Sequence, residues 1–184
     1  MTKRPSVLVL ASLLACCGFP AQDTSVPIAG EEPADSTPFN PSDPSVVESI
    51  TTWFVSDTML VPLVRRVAPP VDVTSAVTIV AVGVTTSEAS RGLRSAIPDP
   101  SMVEGARLVR GTAVVDLASE FLDIPSGDQV LALGQLVYTL TDLRGVGRVR
   151  FEINGESVVV PLPSGESTAE SVSREDFSQL VTKS

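Results

Sequence analysis

Asp116 and Glu120 are close enough in sequence for their carboxylates to face one another, the arrangement from which a glycosidase builds its acid and base. The preferred reading is plainer: Asp116 ends a strand and caps the segment after it, and Glu120 is solvated. The chain has no histidine, so it lacks the commonest near-neutral acid–base group and the commonest metal ligand. Ser95 follows Gly92 without the GxSxG pattern of a nucleophile elbow, and no imidazole exists to activate it. Carboxylates alone would hold only a hard cation, and no EF-hand spacing occurs. The two cysteines are adjacent, Cys16 and Cys17, which rules out a CxxC zinc site and a disulfide framework. These residues therefore point to no catalytic set, no cofactor, no metal and no small-molecule substrate.

The arginines carry more. The 184 residues hold 13 basic and 22 acidic side chains, a net charge of −9, which argues against a nucleic-acid partner because phosphate backbones recruit Lys and Arg. Residues 91–150 are balanced, with Arg91, Arg94, Arg107, Arg110, Arg144, Arg148 and Arg150 matched by as many acids. The negative excess lies in residues 17–60 and in the tail. Alternation places Arg148 and Arg150 together on the outer face of a strand, with Arg107 nearby. That face is either a docking patch for an acidic partner or an anionic wall polymer, or an ordinary solvated strand face, covered or not by the chain's own acidic segment. Arg65-Arg66 puts one arginine on each face of another strand, so one of the two is expected to be paired.

Lys3 and Arg4 precede an apolar run from Val7 to Cys17 that is too short to cross a bilayer. A charged start and a short apolar core form a secretory signal. The run ends Leu13-Leu14-Ala15-Cys16, which resembles a bacterial lipobox. The resemblance implies cleavage before Cys16, a diacylglyceride on its sulfur and membrane attachment on the extracytoplasmic side, with two acyl chains (palmitate among them) giving stable anchoring. An ordinary signal peptide cut elsewhere is the alternative. Cleavage removes Lys3 and Arg4, so the remaining chain is more acidic still. Residues 16–45 are dense in proline and acid without a base. Proline blocks helix and ladder hydrogen bonds, and few apolar groups remain to offset ordering, so this stretch is expected to be a disordered tether.

From Val46 the periodicities change. Ile50–Val55 and Leu60–Val67 read as strands joined at Ser56-Asp57-Thr58, with Pro62 marking an edge. Val73–Val84 is strand by propensity and helix by spacing, with Asp72 or Thr74 as a cap. Ala106–Val109 and Ala113–Leu117 form a hairpin turning at Arg110-Gly111, with Leu108 opposite Ala113 and Ala106 opposite Val115. Asp128–Leu143 is the best helix. Val130, Leu133, Leu136, Val137, Leu140 and Leu143 form its apolar stripe, Gln135, Thr139 and Asp142 its polar one, and Ser126 or Asp128 caps it; Gly134 costs it about 1 kcal/mol. Val149, Phe151 and Ile153 alternate with Arg148, Arg150 and Glu152 before Asn154-Gly155, a type I′ turn that sets Phe151 opposite Val158 and Val149 opposite Val160. The tail is polar except for Phe177 and Leu180, which can dock. Trp53 is a core residue first. The order describes an α+β fold: a largely antiparallel sheet with two helices packed on one face.

Five segments, Leu60–Val67 (LVPLVRRV), Gly92–Pro98 (GLRSAIP), Gly111–Leu117 (GTAVVDL), Val137–Thr141 (VYTLT) and Val149–Gly155 (VRFEING), occur in an order and spacing that resembles the GerMN domain family, named for a spore-germination and sporulation lipoprotein. The resemblance covers residues 46–180. It implies a helix over Val73–Val84 and no catalytic residue. Known members are mostly secreted or lipid-anchored envelope proteins. Some act in sporulation complexes with a fold similar to ring-building domains; actinobacterial ones assist a sensor kinase but carry a further propeller-like domain, which this sequence does not show. The chain is thus expected to comprise a lipoprotein signal peptide (1–15), a tether (16–45) and a GerMN-like domain (46–180), non-enzymatic and acting as an adaptor for an envelope protein through Arg107, Arg148 and Arg150. The alternatives are a self-assembling, ring-type component and, third, a hydrolase of wall polymer.

Overall fold

Ile50–Val55 is an unbroken run of β-branched and aromatic residues; the computed structural model describes residues 47–182, so the signal, lipobox and tether readings at 1–45, Cys16 included, fall outside the described residues. β1 (Glu48–Ser56) and β2 (Met59–Val67) pair antiparallel through Asp57-Thr58, with Asp57 at φ 55°, a left-handed conformation that Asp tolerates better than most residues. β2 is the edge of the sheet β2-β1-β3, where the missing N–H of Pro62 costs no ladder bond. β3 (Leu93–Arg94) is short and pairs only with Val55 and Ser56.

α1 (Val73–Val82) is a helix despite its β-branched content. Its N-cap explains this: the Ser75 N–H donates to the Asp72 carboxylate at 2.8 Å, and the Asp72 N–H donates to Ser75 Oγ at 2.9 Å. This reciprocal pair satisfies two donors that a helix start leaves orphaned. Ala76, Val77 and Val80 are buried. Thr74 Oγ1 donates to the Ala106 carbonyl at 3.0 Å, so α1 also occupies part of a strand edge in the second sheet. α2 (Thr86–Ala89) is a single turn whose Glu88 reaches back to the Thr85 N–H.

The second sheet has the order β4-β5-β6-β7: Val103–Val109, Thr112–Leu117, Arg148–Ile153 and Glu156–Ser157. The β4–β5 hairpin turns at Arg110 and Gly111, both at positive φ, with the expected register of Leu108 to Ala113 and Ala106 to Val115. β5 and β6 run parallel, so this sheet is mixed. The long connection between them carries α3 (Ser126–Leu140), as a parallel crossover requires. Asn154 and Gly155 also sit at positive φ, and Val158 N–H donates to the Phe151 carbonyl. The expected pairing of Val149 with Val160 does not form. Val149 instead exchanges two backbone bonds with Val172, and Val160 pairs with Thr168 in the ribbon of β8 (Val160–Pro161) and β9 (Ser167–Thr168). The chain leaves the ladder after Val158, and the returning tail takes its place.

α3 differs from expectation in three ways. It starts at Ser126 after Pro125, with no side-chain cap, and ends at Leu140. Its predicted polar stripe is mostly inside: Gln135 and Thr139 are fully buried. The reason is that α3 packs against β1, β2, α1, β6, β8 and the tail together, so little of it meets water. The helices are therefore shared by both sheets rather than laid on one face of a single sheet. Trp53 is half-buried against Tyr138, with ring centroids 4.7 Å apart. Phe177 is fully buried, and it packs with Leu60 and Leu180 over Gly134. Arg174 closes the end of α3, donating to the Tyr138 carbonyl at 2.8 Å and Thr141 Oγ1 at 2.7 Å and pairing with Asp142 at 2.9 Å.

Candidate docking face

Strand alternation decides which side chains share the outer face of β4, β5 and β6. Arg107 lies opposite Val114, which lies beside Arg150; Asp116 lies beside Glu152, and Thr112 beside Arg148. The inner face carries Ala113, Val115, Val149 and Phe151, all buried.

Glu152 is the hub of this face and is only 3% exposed. Arg107 donates to one of its oxygens at 2.5 Å and Arg150 to the other at 2.8 Å. The hydrogen bond from Arg107 holds the Glu152 carboxyl below its ordinary range, against the opposing effect of burial. Val114 is fully buried beneath this layer. Arg148 is engaged differently: its Nε donates to Ser171 Oγ at 2.8 Å and a terminal nitrogen to the Ser171 carbonyl at 2.7 Å. The structure thus brings Arg107 and Arg150 together over one buried acid and places Arg148 one row away, against the tail. Glu152 was legible as the third member of the Arg148, Arg150, Glu152 alternation; Ser171 lay in the polar tail, where nothing local marked it.

The two carboxylates singled out for acid–base work part company. Asp116 lies on the outer face of β5, and its Oδ1 is buried with no hydrogen-bond partner among the described residues. It caps nothing: the next 3₁₀ turn, Ser119–Asp123, has Ala118 at its N-cap and no side-chain bond there. Glu120 is exposed on that turn, with Ser119 Oγ as its partner. Elsewhere, Arg65 pairs with Glu88 at 2.6 Å and donates to the Gly83 carbonyl, whereas Arg66 is exposed. Burial raises the Glu88 pKa, but the Thr85 N–H and Arg65 outweigh it and the net shift is downward.

Among the described residues no three His, Cys, Asp or Glu side chains are grouped to hold a metal, and no helix is long and apolar enough to cross a membrane. A family model described as Germane, sporulation and spore germination, matches residues 40–159. The chain belongs to the Germane family. Its fold is similar to that of the tandem GerMN domains of the sporulation protein GerM from Bacillus subtilis, at a TM-score of 0.55 and 23% identity over 82% of this chain. This Germane chain spans about half of that tandem structure, 51%. The first GerMN domain of the same protein matches at a TM-score of 0.52 and 18% identity, over 70% of this chain and 98% of that one. Likeness at these identities shows a shared fold. None of the curated proteins matches the sequence. The helix over Val73–Val82, left even on local grounds, agrees with the family expectation.

Proposed function

We propose that this Germane protein is a lipid-anchored, non-enzymatic accessory protein of the cell envelope. In this reading Cys16 carries the lipid on the extracytoplasmic side of the membrane, residues 16–45 act as the tether, and the domain from 46 to 180 docks an envelope partner on the face of Arg107, Arg148 and Arg150. The single observation behind the docking assignment is that face itself: three arginines on β4 and β6, the two strands that flank β5 in one sheet, two of them sharing a buried acid that fixes their guanidinium groups in place. A pre-ordered arginine loses less freedom on meeting an acidic partner than a free one does. In-cell crosslinking of the tagged full-length protein tests this. One specific envelope protein should be recovered from the parent and lost from an Arg148→Glu/Arg150→Glu variant whose fold is intact; recovery that is indifferent to the charge reversal removes the docking face. Cys16→Ala should release the protein from the membrane fraction, and retention as full as the parent's, with anchoring by an unprocessed signal segment excluded, would remove the anchor.

One observation favours a second reading, self-assembly. β2 is a nine-residue edge strand with Val64 68% exposed, and an exposed edge is a template for pairing. A concentration-dependent oligomer in sedimentation would support it. The hydrolase reading rests on Asp116 and Glu120, and unchanged behaviour of the Asp116→Ala/Glu120→Ala protein would dispose of it.

A further inference from the structure

Past Val114, the outer face of the second sheet opens into a groove of about 420 Å³, walled on its far side by Ala169–Ser171. Arg110 stands at its mouth on the β4–β5 turn, exposed and with no carboxylate partner among the described residues. Arg150 lines it too; one terminal nitrogen serves Glu152, while its buried Nε has no partner. Thr112, Ser157 and Ser171 add hydroxyls from three further stations of the chain. Ser171 Oγ already accepts from Arg148, so its own proton is free to be donated. A single acid, Glu170, shares the lining.

We propose that this groove binds a phosphate-bearing ligand, a phosphate mono- or diester. The inference rests on the arginine face being the docking face and names what it takes. Arginine matches both carboxylate and phosphate, but one guanidinium fork already satisfies the two coplanar oxygens of a carboxylate. Here the donors converge from three strands, a turn and the tail, which fits oxygens arranged in three dimensions. The groove is larger than a phosphate group alone needs, and its hydroxyl lining suits the polyol or sugar of an ester. Glu170 limits the charge the groove accepts and favours a diester over a dianion.

The test uses the full chain with Cys16→Ser, so that no acyl chain contributes, and ¹⁵N-edited NMR during titration with the diester glycerophosphoglycerol, with glycerol phosphate and with inorganic phosphate. Saturable shifts should cluster at Thr112, Ser157, Glu170 and Ser171. Arg110→Glu, at an exposed and unpaired position, should weaken binding by about ten-fold, near 1.4 kcal/mol, and Glu170→Gln should tighten it roughly three-fold. Vesicles of phosphatidylglycerol against phosphatidylcholine separate the sources: Arg110-dependent adsorption to the former assigns a lipid headgroup, and binding of the soluble ester alone assigns a free one. Absence of localised shifts at tens of millimolar ester, or shifts indifferent to Arg110→Glu, overturns the proposal. If an envelope protein is still captured through Arg148 and Arg150 while phosphate does not bind, the phosphate proposal falls and the docking face stands. Groove binding without any captured protein leaves the phosphate site standing and removes the protein partner.

Discussion

Gln135 of α3 donates its side-chain amide to the backbone carbonyl of Trp53 in β1 at 3.2 Å. One turn further along α3, Thr139 Oγ1 accepts the Trp53 N–H at 3.0 Å. The pairing of β1 with β2 explains why these groups need a partner. Ser56 and Met59 close the hairpin, and hydrogen-bonded and non-hydrogen-bonded pairs alternate from there, so Trp53 opposite Pro62 points its N–H and C=O away from β2. β3 reaches only Val55 and Ser56 on that side. Two helical side chains therefore stand where a third strand stops, and the Gln135 oxygen also accepts the Ala96 N–H at 2.6 Å.

Gln135→Leu leaves the Ala96 N–H and the Trp53 carbonyl buried without partners. The expected loss is roughly 2–3 kcal/mol, read as a lower urea midpoint at unchanged slope. Thr139→Val should cost about 1–2 kcal/mol, and Thr139→Ser much less, because it keeps the acceptor. Trp53 is the only tryptophan, so its fluorescence follows both unfolding and local change. A wild-type midpoint in Gln135→Leu would show that the helix does not satisfy β1.

Gly134→Ala should destabilise, although alanine is the better helix former by about 1 kcal/mol. A Cβ there would lie 2.8 Å from Leu180 Cδ1 and 2.9 Å from Leu60 Cδ1. Overpacking of this kind costs roughly 1–3 kcal/mol, so the net effect is a loss. Gly127→Ala on the same helix meets nothing within 4 Å and should be neutral or stabilising. Thermal melts of the two variants moving in the same direction would refute the packing argument.

Glu152 and Glu88 both have folded-state pKa values below their ordinary range. The unfolded chain therefore binds more protons as the solution is acidified. The stability these acids contribute is complete at neutral pH and drains away below about pH 5, as pH falls through the unfolded and then the folded values. Glu152→Gln should cost about 2 kcal/mol at pH 7, discounted from a fully buried pair because Arg107 and Arg150 are half-exposed. Its midpoint should also fall less steeply with acid than the wild type. Equal acid slopes in chemical denaturation would remove Glu152 from the linkage.

Arg174→Ala should loosen the tail. It removes the donors to the Tyr138 carbonyl and Thr141 Oγ1 and the pair with Asp142, a loss of about 1–2 kcal/mol. Hydrogen exchange at the Phe177 amide should accelerate before that of α3, and uniform acceleration would mean global destabilisation only.

Local neighbours decide the features that could be read from the chain. The turns at Arg110-Gly111 and Asn154-Gly155 need positive φ and carry residues suited to it, and the β4–β5 register follows from loop length. Pro62 correctly marked an edge. The errors have distant causes. Gln135 and Thr139 are polar at helical spacing, which locally means water; their burial depends on where β3 ends. Val149 and Val160 alternate properly, yet Val172 competes for the same edge of β6. Asp116 was given a local capping role, whereas its position beside Glu152 follows from the parallel pairing of β5 and β6, which alternation cannot specify. Arg107, Arg148 and Arg150 were identifiable as a group from strand parity, but the buried acid that organises two of them and the Ser171 that engages the third required the fold.

Leu60 and Leu180 meet over Gly134, one from the second strand and the other from the last turn of the domain. A chain emerging N-terminus first, from a ribosome or through an export channel, must hold the first of these unsatisfied until the second is free. Closure of this core is thus timed to release of the whole domain, and the sheets assembled before it remain open on the α3 side. A nascent or threading chain arrested before Phe177 should stay accessible to protease and chaperone, however much of its sheet structure has already formed.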